Sequence, residues 1–228
     1  MKKILFFVAA LFIVNGAFSQ DVKFGIKAGA NFSSLSPFEA SDMGIILKIY
    51  DKDGMSFGYH GGVFANISFG DLLGFQPEFL FSMQGGKMKM GKFFNEFDDD
   101  DYNYGSIKFS YQFGYISLPL LLEIKPVDKL GILVGPQIGY NIISSATAEY
   151  EGQKGTISGS EFDEDIYMGM QKFDAGIAMG LQYSTTKNLH IGARYYLGLI
   201  DGYNESYEGL TMKGFKNSVI QVSLGFSF

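Results

Sequence analysis

A chain of 228 residues has room for one sizeable domain, and its lack of cysteine excludes a disulfide framework, thiolate metal sites, Cys nucleophiles and the acylated cysteine of a lipoprotein. A formal charge of −6 argues against nucleic acid as a partner. The 30 Gly, 23 Phe and 14 Tyr favour β-structure with tight turns and close backbone approaches.

The first predicted element is a signal peptide over residues 1–19. Lys2 and Lys3 give a positive start, residues 4–14 form an apolar run, and Ala17 and Ser19 are small enough for cleavage after Ser19. That run is about half of the ~20 residues that a membrane helix needs. Residues 20–228 are then the mature domain, with a charge of −8 once Lys2 and Lys3 are gone. No later run approaches the length of a spanning helix, so any passage through a membrane must use strands.

Period-two alternation predicts eight strands. They cover residues 22–32, 57–69, 73–85, 107–124, 130–143, 172–183, 189–199 and 217–228. In the first, Val22, Phe24, Ile26, Ala28, Ala30 and Phe32 oppose Lys23, Gly25, Lys27, Gly29 and Asn31. In the last, Ile220, Val222, Leu224, Phe226 and Phe228 oppose Gln221, Ser223, Gly225 and Ser227. In the fourth, Tyr111, Phe113 and Tyr115 fall on odd positions while the later apolar set is even, which predicts a bulge near Tyr115 that resets the phase. Pro77, Pro119 and Pro136 lie within strands, where each removes a ladder donor, and local bulges are expected there as well.

Short links alternate with long ones. The long connections at 33–56, 86–106, 144–171 and 200–215 are expected to be loops, and they hold 18 of the 24 acidic residues and seven lysines, a net −11. Short turns at one end and long loops at the other are the plan of an outer-membrane barrel, with both termini on the periplasmic side. The fold class expected is therefore all-β, an eight-stranded antiparallel up-and-down transmembrane β-barrel in the cell outer membrane.

The oily face is large and almost free of charge, whereas the opposite face is mostly Gly, Ser, Asn and Gln. Such a face would make a poor soluble exterior and suits a narrow lumen, so the oily face is assigned to outer-membrane lipid. The inward charges Lys27, Glu78, Glu123, Asp174 and Arg194 are then candidates for one lumenal network. Arg194, the only arginine, can grip a carboxylate with its planar fork, and Arg194 with Lys27 would neutralise Glu78, Glu123 and Asp174. Eight strands leave space for side chains and none for an open channel, so the network is expected to fill the lumen. No catalytic, cofactor-binding or metal-binding motif is present. His60 and His190 are expected too far apart to share a metal.

Several segments resemble the PorT-like outer-membrane β-barrel family of porin-type proteins from Bacteroidetes. They are GIKAGAN from Gly25, QPEFLFS from Gln76, YISLPLLL from Tyr115, GPQIG from Gly135, Asp174-Ala-Gly176 and ARYYLGL from Ala193. The resemblance implies an eight-stranded outer-membrane barrel without an assigned activity in most members, and a role in protein secretion for its namesake. It also implies that Val222, Leu224, Phe226 and Phe228 form the signal read by the barrel-assembly machinery. The expected role is structural or interactive and not enzymatic, with an extracellular or envelope protein as partner through the acidic loops. A narrow porin, or a component of a secretion system, is the alternative.

Overall fold

The computed structural model describes residues 21–36, 39–42, 45–48, 51–90, 107–150, 152–158, 171–207 and 210–228. The expected signal peptide and the acidic runs at 98–101 and 161–165 lie outside them. In chain order the strands are β1 (Asp21–Leu35), β2 (Glu39–Asp42), β3 (Ile45–Lys48), β4 (Asp51–Gly54), β5 (Ser56–Phe69), β6 (Leu73–Met90) and β7 (Ile107–Val127). There follow β8 (Leu130–Tyr150), β9 (Gln153–Ser158), β10 (Phe173–Ser184), β11 (Leu189–Gly198), β12 (Tyr203–Tyr207), β13 (Leu210–Gly214) and β14 (Asn217–Ser227).

Eight of these close into a ring: β10, β11, β14, β1, β5, β6, β7 and β8, with β8 returning to β10. Every pair is antiparallel. The closing pair of first and last barrel strands runs from Gly25↔Ser227 to Leu35↔Asn217. Alternation decides which way each residue points. On β14, Ile220, Val222, Leu224 and Phe226 are exposed on the outer wall, and Gln221, Gly225 and Ser227 are buried inside. The same division holds for β1, where Ile26 is exposed and Lys27 buried, and for β6, where Phe79 is exposed and Glu78 buried. The outer wall is a continuous apolar surface, which only a hydrocarbon solvent tolerates at this extent.

Three expectations are corrected. First, the pairing of β7 with β8 does shift register at Gly114/Tyr115, but the extra residue is Ile142 on β8. The phase of β7 never resets. Tyr111, Phe113, Tyr115, Ser117, Leu121 and Glu123 are all buried in the interior, so the three aromatics are lumenal. A bulge in one strand of a pair leaves the partner's alternation intact.

Second, Pro77, Pro119 and Pro136 cause no register shift. Each pairs with one neighbour, Pro77 with Leu120, Pro119 with Gln137 and Pro136 with Ile177, and the ladder on its other side lapses and resumes in register. A missing N–H costs one rung on one side, and an extra residue is not needed to absorb it.

Third, the long connections contain strands. Barrel strands run on, β6 to Met90 and β8 to Tyr150, with β4 pairing β6 and β9 pairing β8. A separate four-stranded sheet is ordered β12, β13, β2, β3. Above the membrane both faces of a strand meet water, so the one-sided apolar pattern that marks a strand in the sequence is lost.

Candidate functional site

The interior begins at the long-loop end with an apolar cluster. Leu35, Met88, Tyr111, Phe113, Tyr115, Ala146 and Phe215 pack together there. Tyr111 lies nearly parallel to Phe113 with centroids 6.3 Å apart, and its ring meets that of Phe215 at 5.2 Å. Phe215 has a φ of 67°, in the left-handed region, at the point where β13 turns into β14. A second apolar group, Leu121, Leu133, Ala178, Tyr196 and Val219, lines the wall further down.

Between and below these groups lies the polar part of the lumen. Glu78 is its centre. Its Oε1 accepts from Lys27 Nζ at 2.5 Å and from Gln76 Nε2 at 2.7 Å, and its Oε2 accepts from Arg194 Nη1 at 2.8 Å. In the ring β6 and β11 are opposite each other, so the Glu78–Arg194 pair is a strut across the barrel. Arg194 does not hold a carboxylate with both arms. Its Nε donates to Gln221 Oε1 at 2.9 Å. Gln221 donates in turn to Asn31 Oδ1 at 3.0 Å, which also meets His60 Nδ1 at 2.7 Å.

The five expected charges are not all in direct contact. Lys27, Glu78 and Arg194 are brought together, Glu123 joins them only through Asn66 and Gln76, and Asp174 is held by Asn217. Glu123 accepts from Asn66 Nδ2 at 2.6 Å and pairs with Lys125 Nζ at 3.3 Å. Its carboxylate fills space that side chains at Gly74 or Gly131 would take: a Cβ on Gly131 would lie 2.5 Å from Oε1. Asn66 also donates to Gln76 Oε1 at 3.3 Å, so two amides link Glu123 to Glu78, and each carboxylate has its own cation, Lys125 for Glu123 and Lys27 with Arg194 for Glu78. Asp174 accepts from Asn217 Nδ2 at 2.7 Å, and Asn217 also reaches Tyr115 Oη at 3.3 Å from across the ring.

Sequence reasoning missed Lys125, Asn66, Gln76, Asn217 and Gln221 as partners. For Lys125 a signal existed, because residues two apart on a strand share a face. For the amides there was none, since which of them meet depends on how the ring closes. His60 stands above the Glu78 cluster and His190 near the short turns, where it touches Ser184 Oγ at 3.1 Å and Ser227 Oγ at 3.0 Å. Val222, Leu224 and Phe226 are exposed on the outer wall at the β1–β14 seam, as is Phe228 just past it.

The model of a family described as "Outer membrane protein beta-barrel domain" matches residues 18–204. No curated protein matches the chain. Among solved structures, Neisserial surface protein A is similar at 12% identity and a TM-score of 0.46, over 91% of this chain and 99% of that one. Ail of Yersinia pestis is similar at 14% identity and a TM-score of 0.41, over 91% and 99%. OprG of Pseudomonas aeruginosa is similar at 13% identity and a TM-score of 0.40, over 92% and 97%.

Proposed function

We propose, from the premise that this chain belongs to the outer membrane protein β-barrel domain family, that it is a closed barrel with a structural or interaction role. It resides in the outer membrane. The observation that carries the reading is the strut: Arg194 and Glu78, from opposite walls, meet at 2.8 Å beneath a packed aromatic cluster. A lumen crossed in this way has no room for a water column of porin size. Lys27, Glu78 and Arg194, with Glu123 and Asp174 at separate levels, act in this reading as interior filling that holds the walls in register. The long-loop ends, where β2–β3, β4, β9 and β12–β13 project, present the surface for an extracellular or envelope protein partner. The outer face of β14 at Val222, Leu224 and Phe226, with Phe228 just past it, is the stretch offered to the barrel-assembly machinery.

The finer assignment, a PorT-like member of the porin-type proteins of Bacteroidetes, is supported by the strand segments that resemble that family. It favours a second role, as a component of an outer-membrane secretion system. Planar-bilayer conductance tests the first reading. The purified barrel is expected to give no steady open state, and a stable porin-sized current would sink it. Cross-linking in intact outer membranes tests the second, by whether other secretion components are captured with this chain.

A further inference from the structure

Towards the long-loop end the outer face of β6 to β9 turns from apolar to basic. Its apolar positions end at Met83 on β6, Ile116 on β7 and Ile143 on β8. Lys87 comes four residues past Met83, roughly 10 Å higher on a tilted strand, and its long side chain can reach the level of lipid headgroups. Alternation puts Lys87 and Lys89 on the outward side of β6 and Lys108 on that of β7, and all three are exposed. Lys89 and Lys108 are direct cross-strand partners. Like charges in that position repel. The next residue in the row is Glu149 on β8, which pairs at 3.3 Å with Lys154 of β9. On the other side Asp51 of β4 is in register with Lys89, and Asp53 is in the bulge beside Lys87. Even so, Lys87, Lys89 and Lys108 form no ion pair among the described residues. The long connections as a whole carry −11, so these three cations on one face run against the charge of their surroundings.

Below the lysines the same face holds a groove of about 710 Å³. Its lower part is apolar, formed by Met83, Tyr140, Ile142 and Ile143. The bulge creates it by turning two consecutive residues, Ile142 and Ile143, to the outside. Its upper part is Gln112, Ser145 and Ser158, which follow one another across β7, β8 and β9. These side chains can donate and accept, and they hydrogen-bond to no other described residue. From the membrane upwards the face is apolar, then uncharged and polar, then cationic. A phosphorylated lipid has the same order: acyl chain, headgroup hydroxyls, phosphate. The groove is continuous with the wall that meets hydrocarbon, so a bound lipid keeps its chain in the membrane.

We infer that this face of β6 to β9 is a docking surface for one phosphorylated lipid of the outer leaflet, with the phosphate held by Lys87, Lys89 and Lys108 and an acyl chain laid over Ile142 and Ile143. This goes beyond the structural role proposed above, because the partner is a lipid and the surface is the side of the wall. Only the choice of leaflet rests on the long-loop end facing outwards, and binding to the purified barrel is independent of it.

Native mass spectrometry of the folded barrel in a neutral detergent tests the inference, with lipid A, dephosphorylated lipid A and inorganic phosphate as probes. Lipid A is expected to stay on the barrel at one copy, at least tenfold tighter than its dephosphorylated form, and a tenfold excess of inorganic phosphate should leave it bound. The triple variant Lys87→Gln, Lys89→Gln, Lys108→Gln is expected to weaken that binding at least tenfold. A control with the same loss of charge elsewhere, Lys129→Gln, Lys187→Gln, Lys213→Gln, should bind as wild type does. All six positions are exposed, and heat-dependent gel mobility reports whether each variant is folded. Equal binding of the dephosphorylated lipid, displacement by inorganic phosphate, an equal loss in the control, or unchanged binding in the folded triple variant would each overturn the inference.

Discussion

Removing the charge of Glu78 would strand two cations, Lys27 and Arg194, in an interior where Glu78 is only 2% exposed. Breaking such a group from one side costs about 3–5 kcal/mol, whereas replacing all of it with apolar side chains of similar volume is often neutral. Glu78→Leu is therefore expected to be strongly destabilising in urea titrations of the refolded barrel, and the triple variant Lys27→Met, Glu78→Leu, Arg194→Met close to wild type. If the triple variant is as weak as the single one, the cluster does more than balance charge. Phe215 offers a second comparison. Its left-handed φ costs a non-glycine residue roughly 1–2 kcal/mol, and its ring repays this by packing on Tyr111. Phe215→Ala loses the ring and keeps the strain, so Phe215→Gly is expected to be the more stable of the two by about 1 kcal/mol. The inward position of Lys27, Glu78 and Arg194 was legible from period two alone. Their grouping was not, because Glu78 and Arg194 are 116 positions apart and meet only when the ring closes.

At the scale of the strand, β14 shows what the sequence states most plainly. Its outer residues are apolar without exception from Ile220 to Phe226, and they are exposed. Leu224 pairs with Ala28 near the middle of β1. Leu224→Arg at that depth is expected to cost ~2–4 kcal/mol in the folded barrel, with little effect from the inward Ser223→Ala. Deleting Phe228 separates assembly from stability. Insertion assayed in cells should fall while the unfolding midpoint of the refolded protein stays near wild type, and normal insertion would remove the assembly signal from this face. β7 shows the opposite case. Its aromatics at 111, 113 and 115 look like an oily outer face, and only the pairing with β8 reveals that they point inward. β8 and β9 mark a third limit. Residues such as Thr147, Glu149, Lys154 and Thr156 pair across a hairpin in water, so no hydrophobic period announces them.

The whole barrel is divided by height. An aromatic cluster lies at the long-loop end, an ion-paired strut spans the middle, and a basic mouth opens among the short turns. Removing the first barrier alone should not produce conductance. Tyr111→Ala with Phe113→Ala is expected to remain electrically silent, because the strut still crosses the lumen, and brief small currents are expected only when Glu78 and Arg194 are changed as well. Strand number and closure could be read from the sequence because each strand carries its own signal. The division by height could not, since it is a property of eight strands together. The three prolines add a consequence for how this wall moves. Pro77, Leu120 and Pro136 stand in one row across β6, β7 and β8, with Pro119 beside them, and each proline leaves a rung unmade. In hydrocarbon no water replaces a missing partner. That row is a line along which neighbouring strands can slide or flex with fewer bonds to break. Deuterium uptake at the amides beside it should outpace uptake at the same depth on the continuous β1–β14 seam, so the barrel is softest on one side of its circumference, away from the seam where it closes.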